Sequence, residues 1–167
     1  MKSLLKILAL FTCLNLTAQE RVSISVLQDA RLAVLGDDIG NDPFTPDFIV
    51  RLGMEGIGRF KYVSLRTEWE YANLAGGYYN RGSILGGYNW IYDNLIMSAH
   101  VGPGIIQRRY LKASGGVLAF ALNLDLYYGL GERFGIVLSN QFLNRADVVN
   151  EPIRYSFFVG IRGYFRK

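Results

Sequence analysis

Residues 60–71 read Phe60-Lys61-Tyr62-Val63-Ser64-Leu65-Arg66-Thr67-Glu68-Trp69-Glu70-Tyr71. Every second residue belongs to one set. Val63, Leu65, Thr67, Trp69 and Tyr71 form the first, and Tyr62, Ser64, Arg66, Glu68 and Glu70 form the second. A strand sends successive side chains to opposite faces, so this segment has one apolar face and one charged face. About ten residues suit a tilted strand that crosses a membrane. Three charges on one face do not suit a soluble core. They suit a closed barrel whose apolar side chains face lipid and whose charges face the lumen.

The same alternation extends in both directions. Strands are expected at 22–35, 44–55, 60–71, 78–90, 95–107, 114–128, 133–143 and 153–165, with a bulge near Gln28 in the first. In the sixth, Leu118, Phe120, Leu122, Leu124 and Leu126 share a face opposite Asn123 and Asp125. Pro46 must lie near the end of the second, because proline donates nothing to a ladder. The connections alternate. Those at 56–59, 91–94 and 129–132 are short, and those at 36–43, 73–77, 108–113 and 144–152 are longer or more polar. Eight antiparallel strands in this rhythm give an all-β, up-and-down transmembrane barrel. Aromatic side chains should ring its two rims. Trp69, Tyr71, Tyr78, Tyr79, Tyr110 and Tyr155 are assigned to the outer rim. Phe60, Tyr62, Tyr88, Trp90, Tyr92, Tyr127, Tyr128, Phe134, Tyr164 and Phe165 are assigned to the inner one.

Upstream of the strands, Lys2 and Lys6 precede the apolar run 7–16 and the small-residue site Thr17-Ala18-Gln19. This is the pattern of a cleaved export signal, residues 1–18, ahead of a barrel at 19–167. Cys13 is the single cysteine and falls inside the signal, so the mature barrel has no disulfide or thiol chemistry. After the signal, no run of about eighteen apolar residues offers a helical membrane span. The formal net charge of +4 falls by two when Lys2 and Lys6 are removed, and the rest is scattered. A nucleic-acid partner is therefore not expected.

The chain resembles the small eight-stranded bacterial outer-membrane barrels of OmpA/OmpX type, over residues 20–167 and in architecture more than in motif. Such barrels end in an aromatic strand that their insertion machinery recognises. Gly160, Tyr164 and Phe165, within Val159-Gly160-Ile161-Arg162-Gly163-Tyr164-Phe165, resemble that signal, with Gly163 where an aromatic is expected. The resemblance implies an outer-membrane location, contact with the barrel-insertion machinery, and a monomer.

The lumen face gathers Asp29, Asp47, Glu55, Glu68, Glu70 and Asp125 against Arg31, Arg51, Arg66, Arg81, Arg154 and Arg162. An eight-stranded barrel has room for little beyond its own side chains, so these charges should pair into a structural plug. His100, the single histidine, reads as an interior residue. A deacylase-like serine two positions after it is missing, since that position is Gly102, and Ser98 lies two positions before it. One histidine without cysteine builds no metal site, and no cofactor is expected. The acidic stretch 37–42 could ligate calcium, but Asp, Asn and Gly are also the ordinary turn formers. Arg108, Arg109 and Lys112, read as a basic outer loop, suit lipopolysaccharide phosphates. The leading expectation is a non-enzymatic outer-membrane barrel, structural or interacting through its loops. A lipid A-modifying enzyme, a narrow channel for small apolar solutes and a soluble eight-stranded carrier are the alternatives.

Overall fold

The computed structural model describes residues 21–36, 41–57, 60–74, 77–110, 113–144 and 153–166. The export signal expected at 1–18, residues 37–40 of the acidic stretch and Lys112 lie outside them. The strands are β1 (Arg21–Asp29), β2 (Asp47–Ile57), β3 (Phe60–Leu74), β4 (Gly77–Tyr92), β5 (Leu95–Tyr110), β6 (Ala113–Gly129), β7 (Phe134–Asn144) and β8 (Ile153–Arg166). Each pairs antiparallel with its neighbours in sequence. β1 also pairs with β8, from Arg21 opposite Arg166 to Asp29 opposite Phe158, and this closes the barrel. Closure leaves no edge strand, although β6 pairs with β7 only from Ala121 to Gly129 and its first half, 113–120, pairs with β5.

One end of the barrel carries tight connections. Asp93 and Asn94 turn β4 into β5, with Asp93 at φ +48°, a conformation that aspartate tolerates. Between β2 and β3 the register shifts at Gly56, whose φ of +77° is open to glycine. The opposite end carries a cap. The first strand does not run to Leu35 as expected, and no bulge carries it past Gln28. Asp29 ends it by accepting from the backbone N–H groups of Arg31 (2.9 Å) and Leu32 (3.1 Å), which makes it the N-cap of a single-turn helix, α1 (Ala30–Val34). Leu32 is buried by the cap and Arg31 is exposed on it. Residues 41–46 return to β2, tied by Phe44 N–H to Ala33 O (3.3 Å) and Gln28 Nε2 to Thr45 O (3.3 Å). Phe44 and Pro46 thus precede β2, which starts at Asp47.

The connections at 73–77 and 108–113 are shorter than expected. β3 continues to Leu74 and β4 starts at Gly77, while β5 continues to Tyr110 and β6 starts at Ala113. Cross-strand pairing there extends to Leu74 opposite Gly77 and Tyr110 opposite Ala113, so the strands use residues that composition assigns to loops.

Burial follows the alternation. Ser64, Arg66, Glu68 and Glu70 are buried, while Trp69 on the other face of β3 is 47% exposed. In β4, Ile84 is 57% exposed and its neighbour Leu85 is fully buried. Leu52, Leu118, Phe120, Leu122 and Ile161 also point outward. Three aromatics depart from their assigned rims. Tyr79, Tyr127 and Tyr164 point inward and are buried, because each shares strand parity with lumen charges: Tyr79 with Arg81, Tyr127 with Asp125, Tyr164 with Arg162. Trp69, Tyr78 and Tyr155 remain exposed toward the capped end, and Tyr88, Trp90, Tyr92, Tyr128, Phe134 and Phe165 toward the turn end.

Candidate functional site: the ion-paired lumen

Strands β1 to β4, β6 and β8 send buried charges into the lumen, because each alternates with the parity set by its outward apolar residues. At the centre, Glu68 of β3 meets three arginines: Arg51 Nε at 2.7 Å, Arg66 Nε at 3.2 Å and Arg81 Nη2 at 3.2 Å. Its Oε1 also accepts from Asn123 Nδ2 at 2.6 Å. Asp125 of β6 pairs with Arg66, with Arg51 Nη1 (3.4 Å) and with Arg162 Nη2 (3.7 Å), and accepts from Ser139 Oγ (2.6 Å). Each carboxylate thus meets several guanidinium donors, which offsets the cost of taking charge out of water.

Toward the capped end, Glu70 accepts from Arg81 Nε (2.8 Å) and Arg154 Nη1 (3.1 Å), and Arg154 also pairs with Asp47. The Arg154 guanidinium lies 5.4 Å from the centre of the Tyr79 ring. Toward the turn end, Arg162 donates to Ser25 Oγ (3.1 Å) and Glu55 (3.4 Å), and Tyr164 donates to Glu55 (3.1 Å). Arg162 also lies 5.4 Å from the centre of the Tyr127 ring. Tyr79 and Tyr127 therefore cover arginines with a π face.

The structure brings together Asp47, Arg51, Glu55, Arg66, Glu68, Glu70, Arg81, Asp125, Arg154 and Arg162. Two of the twelve expected lumen charges stand apart. Arg31 is exposed on α1, because the helix rotates it away from the parity it would have had in a strand. Asp29 faces the lumen but spends one oxygen on the helix cap. Arg108 and Arg109 belong to β5 and not to an outer loop. Arg108 is half-buried, with its guanidinium 5.7 Å from the centre of the Tyr79 ring, and Arg109 pairs with Tyr78 across the β4–β5 ladder.

His100 is 4% exposed, and its Nε2 lies 2.6 Å from Ser64 Oγ. Its neighbours two residues away in sequence hide this pair. Register shows it: Ser64 faces Gly87 on β4, and Gly87 faces His100 on β5. A Cβ on Gly87 would fall on the His100 ring, so the glycine opens the path across one strand. Nδ1 of His100 has no hydrogen-bond partner among the described residues, and Ser64 is 3% exposed. A cavity beside it, lined by Ser23, Ser25, Glu55, Ser64, Arg66 and His100 among others, measures about 10 Å³, room for about one water. Among the described residues, no group of three or more acidic, histidine or cysteine side chains is placed to hold a metal.

No family model matches the chain, and no curated protein sequence matches it. Solved structures do. The outer membrane protein Ail of Yersinia pestis, in a phospholipid bilayer nanodisc, is 14% identical with a TM-score of 0.58 over 89% of this chain and 99% of that one. The N-terminal β-barrel domain of Pseudomonas aeruginosa OprF is 14% identical with a TM-score of 0.57, covering 89% of this chain and all of that one. A de novo designed transmembrane β-barrel is 11% identical with a TM-score of 0.52, covering 88% and 95%. At such identities the likeness is one of fold: a closed, antiparallel, eight-stranded barrel of the kind that spans outer membranes.

Proposed function

We propose that this chain, folded as the small eight-stranded outer-membrane barrels are, is a non-enzymatic outer-membrane protein with a lumen filled by its own side chains and with its contacts at the capped end. The observation that carries the reading is the reversal of polarity across one wall. Arg51, Glu68, Glu70, Arg81 and Asp125 are buried inside, while Leu52, Ile84, Leu118 and Ile161 are more than half exposed outside. A soluble carrier needs the opposite arrangement. In lipid this wall pairs its strands in a closed ladder and presents hydrocarbon to hydrocarbon. The buried, incomplete Ser64–His100 pair supports a protein without lipid A chemistry, and the crowded lumen supports a structural plug over a channel for apolar solutes.

In this reading residues 1–18 direct export, and Gly160, Tyr164 and Phe165 of β8 address the barrel-insertion machinery. The turn end faces the periplasm, and the cap of α1 and residues 41–46 faces outward. Outer-membrane lipid and lipopolysaccharide are the proposed partners, with Arg109 and Lys112 as the candidate phosphate contacts; Arg108 is left out because it faces Tyr79. Polyanion contact has a parallel in Ail, the attachment invasion locus protein of Yersinia pestis, solved in complex with the heparin analogue sucrose octasulfate.

Two measurements on the full chain test the proposal. Cell fractionation should place it in the outer membrane, with altered migration on gels when unboiled; recovery as a soluble periplasmic protein contradicts the location. Planar-bilayer recording should show no stable open channel. A reproducible, ion-selective conductance would replace the plug with a pore.

A further inference from the structure

Asn140 of β7 interrupts an apolar stretch of the outer wall. It alternates with the buried lumen residues Ser139 and Gln141, so its side chain points outward, where it is half-buried. Leu138 and Phe142 flank it on its own strand. Leu124 faces it across the β6–β7 ladder and Phe157 across the β7–β8 ladder. Its Oδ1 accepts from the Tyr155 hydroxyl at 2.7 Å. An amide has two N–H donors and two acceptor lone pairs, so this bond uses one of four capacities. Nδ2 meets no acceptor among the described residues. On a wall that faces lipid there is no water to supply one, and an unsatisfied amide there is costly.

Beside Asn140 the wall is notched. Ala99 of β5 stands between its cross-strand neighbours Tyr88 of β4 and Leu124 of β6. A methyl group between two large side chains leaves a groove of about 550 Å³, lined by Trp90, Met97, Ala99, Leu124, Leu126 and Asn140 among others. The groove lies on the β6 side of Asn140 and runs toward the turn end. On the β8 side, also toward the turn end, Ile136 and Ile161 face each other across the β7–β8 ladder, 40% and 65% exposed. A hollow and a ridge therefore flank the amide. A two-fold axis along the membrane normal keeps every height and exchanges the two sides. Passing beside Asn140, it sets the groove of one copy against the ridge of the other and brings the two amides together. Each Nδ2 can then donate to the other copy's Oδ1, on the lone pair that Tyr155 leaves open. An amide is donor and acceptor at once, which is the self-complementarity that an isologous interface requires. A lipid acyl chain could fill the groove, but its hydrocarbon has no acceptor for Nδ2.

We propose that this chain forms a two-fold dimer within the membrane through its β5–β8 wall. Paired Asn140 amides lie at the centre, and Ile136 and Ile161 of each copy fill the groove beside Ala99 of the other. The partner is a second copy of this chain, in place of the monomer that the resemblance implies. The dimer rests on the reading that this wall faces lipid, because only there does the amide lack water.

The test labels the full chain at the exposed turn position Asn94, as Asn94→Cys with Cys13→Ser, and mixes donor- and acceptor-labelled copies in phospholipid vesicles. Energy transfer should exceed that of randomly placed copies and fall on dilution with lipid as a monomer–dimer equilibrium does. Asn140→Leu should weaken association roughly tenfold. Ala99→Phe fills the groove and should weaken it at least as much. Both variants should keep the altered gel migration of the folded barrel, and Leu118→Phe, on the wall away from the groove, should leave association unchanged. Transfer no greater than random in the native chain overturns the dimer. So does association that neither Asn140→Leu nor Ala99→Phe weakens. Nuclear Overhauser transfer from acyl chains to the Ala99 methyl that persists at high protein density gives the groove to lipid and also overturns it. Acyl-chain contact at Ile84, outside the interface, reports the membrane reading separately: its loss sinks that reading, and its presence without energy transfer sinks the dimer alone.

Discussion

The same strands build two surfaces with opposite rules. In the lumen, position is everything: Glu68 is held at once by Arg51, Arg66, Arg81 and Asn123. On the outer wall, identity hardly matters as long as the side chain is apolar, so that Leu, Ile, Val and Phe succeed one another along β5 and β6. A buried charge without its partners costs several kcal/mol, whereas one aliphatic side chain facing lipid can replace another with little change. The lumen thus holds the specificity of the fold and the wall holds its location.

Substitutions at the centre of the lumen should show the largest effect. Glu68→Leu leaves three arginines short of a carboxylate and should cost about 3–5 kcal/mol in reversible urea unfolding from lipid vesicles. A loss comparable to that of an ordinary surface substitution would show that water, and not Glu68, neutralises this cluster. The wall should be next. Ile84→Arg sets a guanidinium against acyl chains in mid-strand and should cost about 2–4 kcal/mol in the same assay, while Ile84→Val should cost little. Equal tolerance of both would remove the distinction between the two surfaces.

The alternation that separates these surfaces is legible in the sequence because the period of a strand is two and the lumen demands charge. That logic fails wherever the residue type does not declare its face. Tyr79, Tyr127 and Tyr164 look like rim aromatics, yet their parity places them inside, the first two over Arg154 and Arg162 and the third hydrogen-bonded to Glu55. Asp29 reads as one more lumen charge, but its side chain stops the strand and starts α1, which carries Arg31 out of the lumen. Arg108 and Arg109 look like loop residues because charge suggests solvent; ladder pairing with Tyr79 and Tyr78 outweighs that. The Ser64–His100 contact depends on registers between three strands, which periodicity along one chain does not fix.

That contact supplies a smaller test inside the lumen. Gly87→Ala places a methyl group on the His100 ring and should push it off Ser64, at about 1–3 kcal/mol, with a changed His100 ring resonance in NMR. An unchanged His100 signal would show that the histidine does not need the space. The smallest effect is expected on the wall, where Tyr155 OH donates to Asn140 Oδ1 at 2.7 Å. Tyr155→Phe should cost about 1 kcal/mol in the unfolding assay, the net worth of one hydrogen bond. A loss as large as that of Glu68→Leu would mean that the wall, too, relies on fixed polar partners.

The most direct measurement of the barrel's polarity needs no substitution. Ile84 is 57% exposed and Leu85, the next residue, is buried. In nanodiscs with protonated lipid and selectively methyl-labelled protein, nuclear Overhauser transfer from acyl-chain protons should reach the methyl groups of Ile84 and Leu118 and should be absent at Leu85, Ile106 and Val137. Transfer to Leu85 and none to Ile84 would contradict the account, because the charged face would then be the one in contact with lipid.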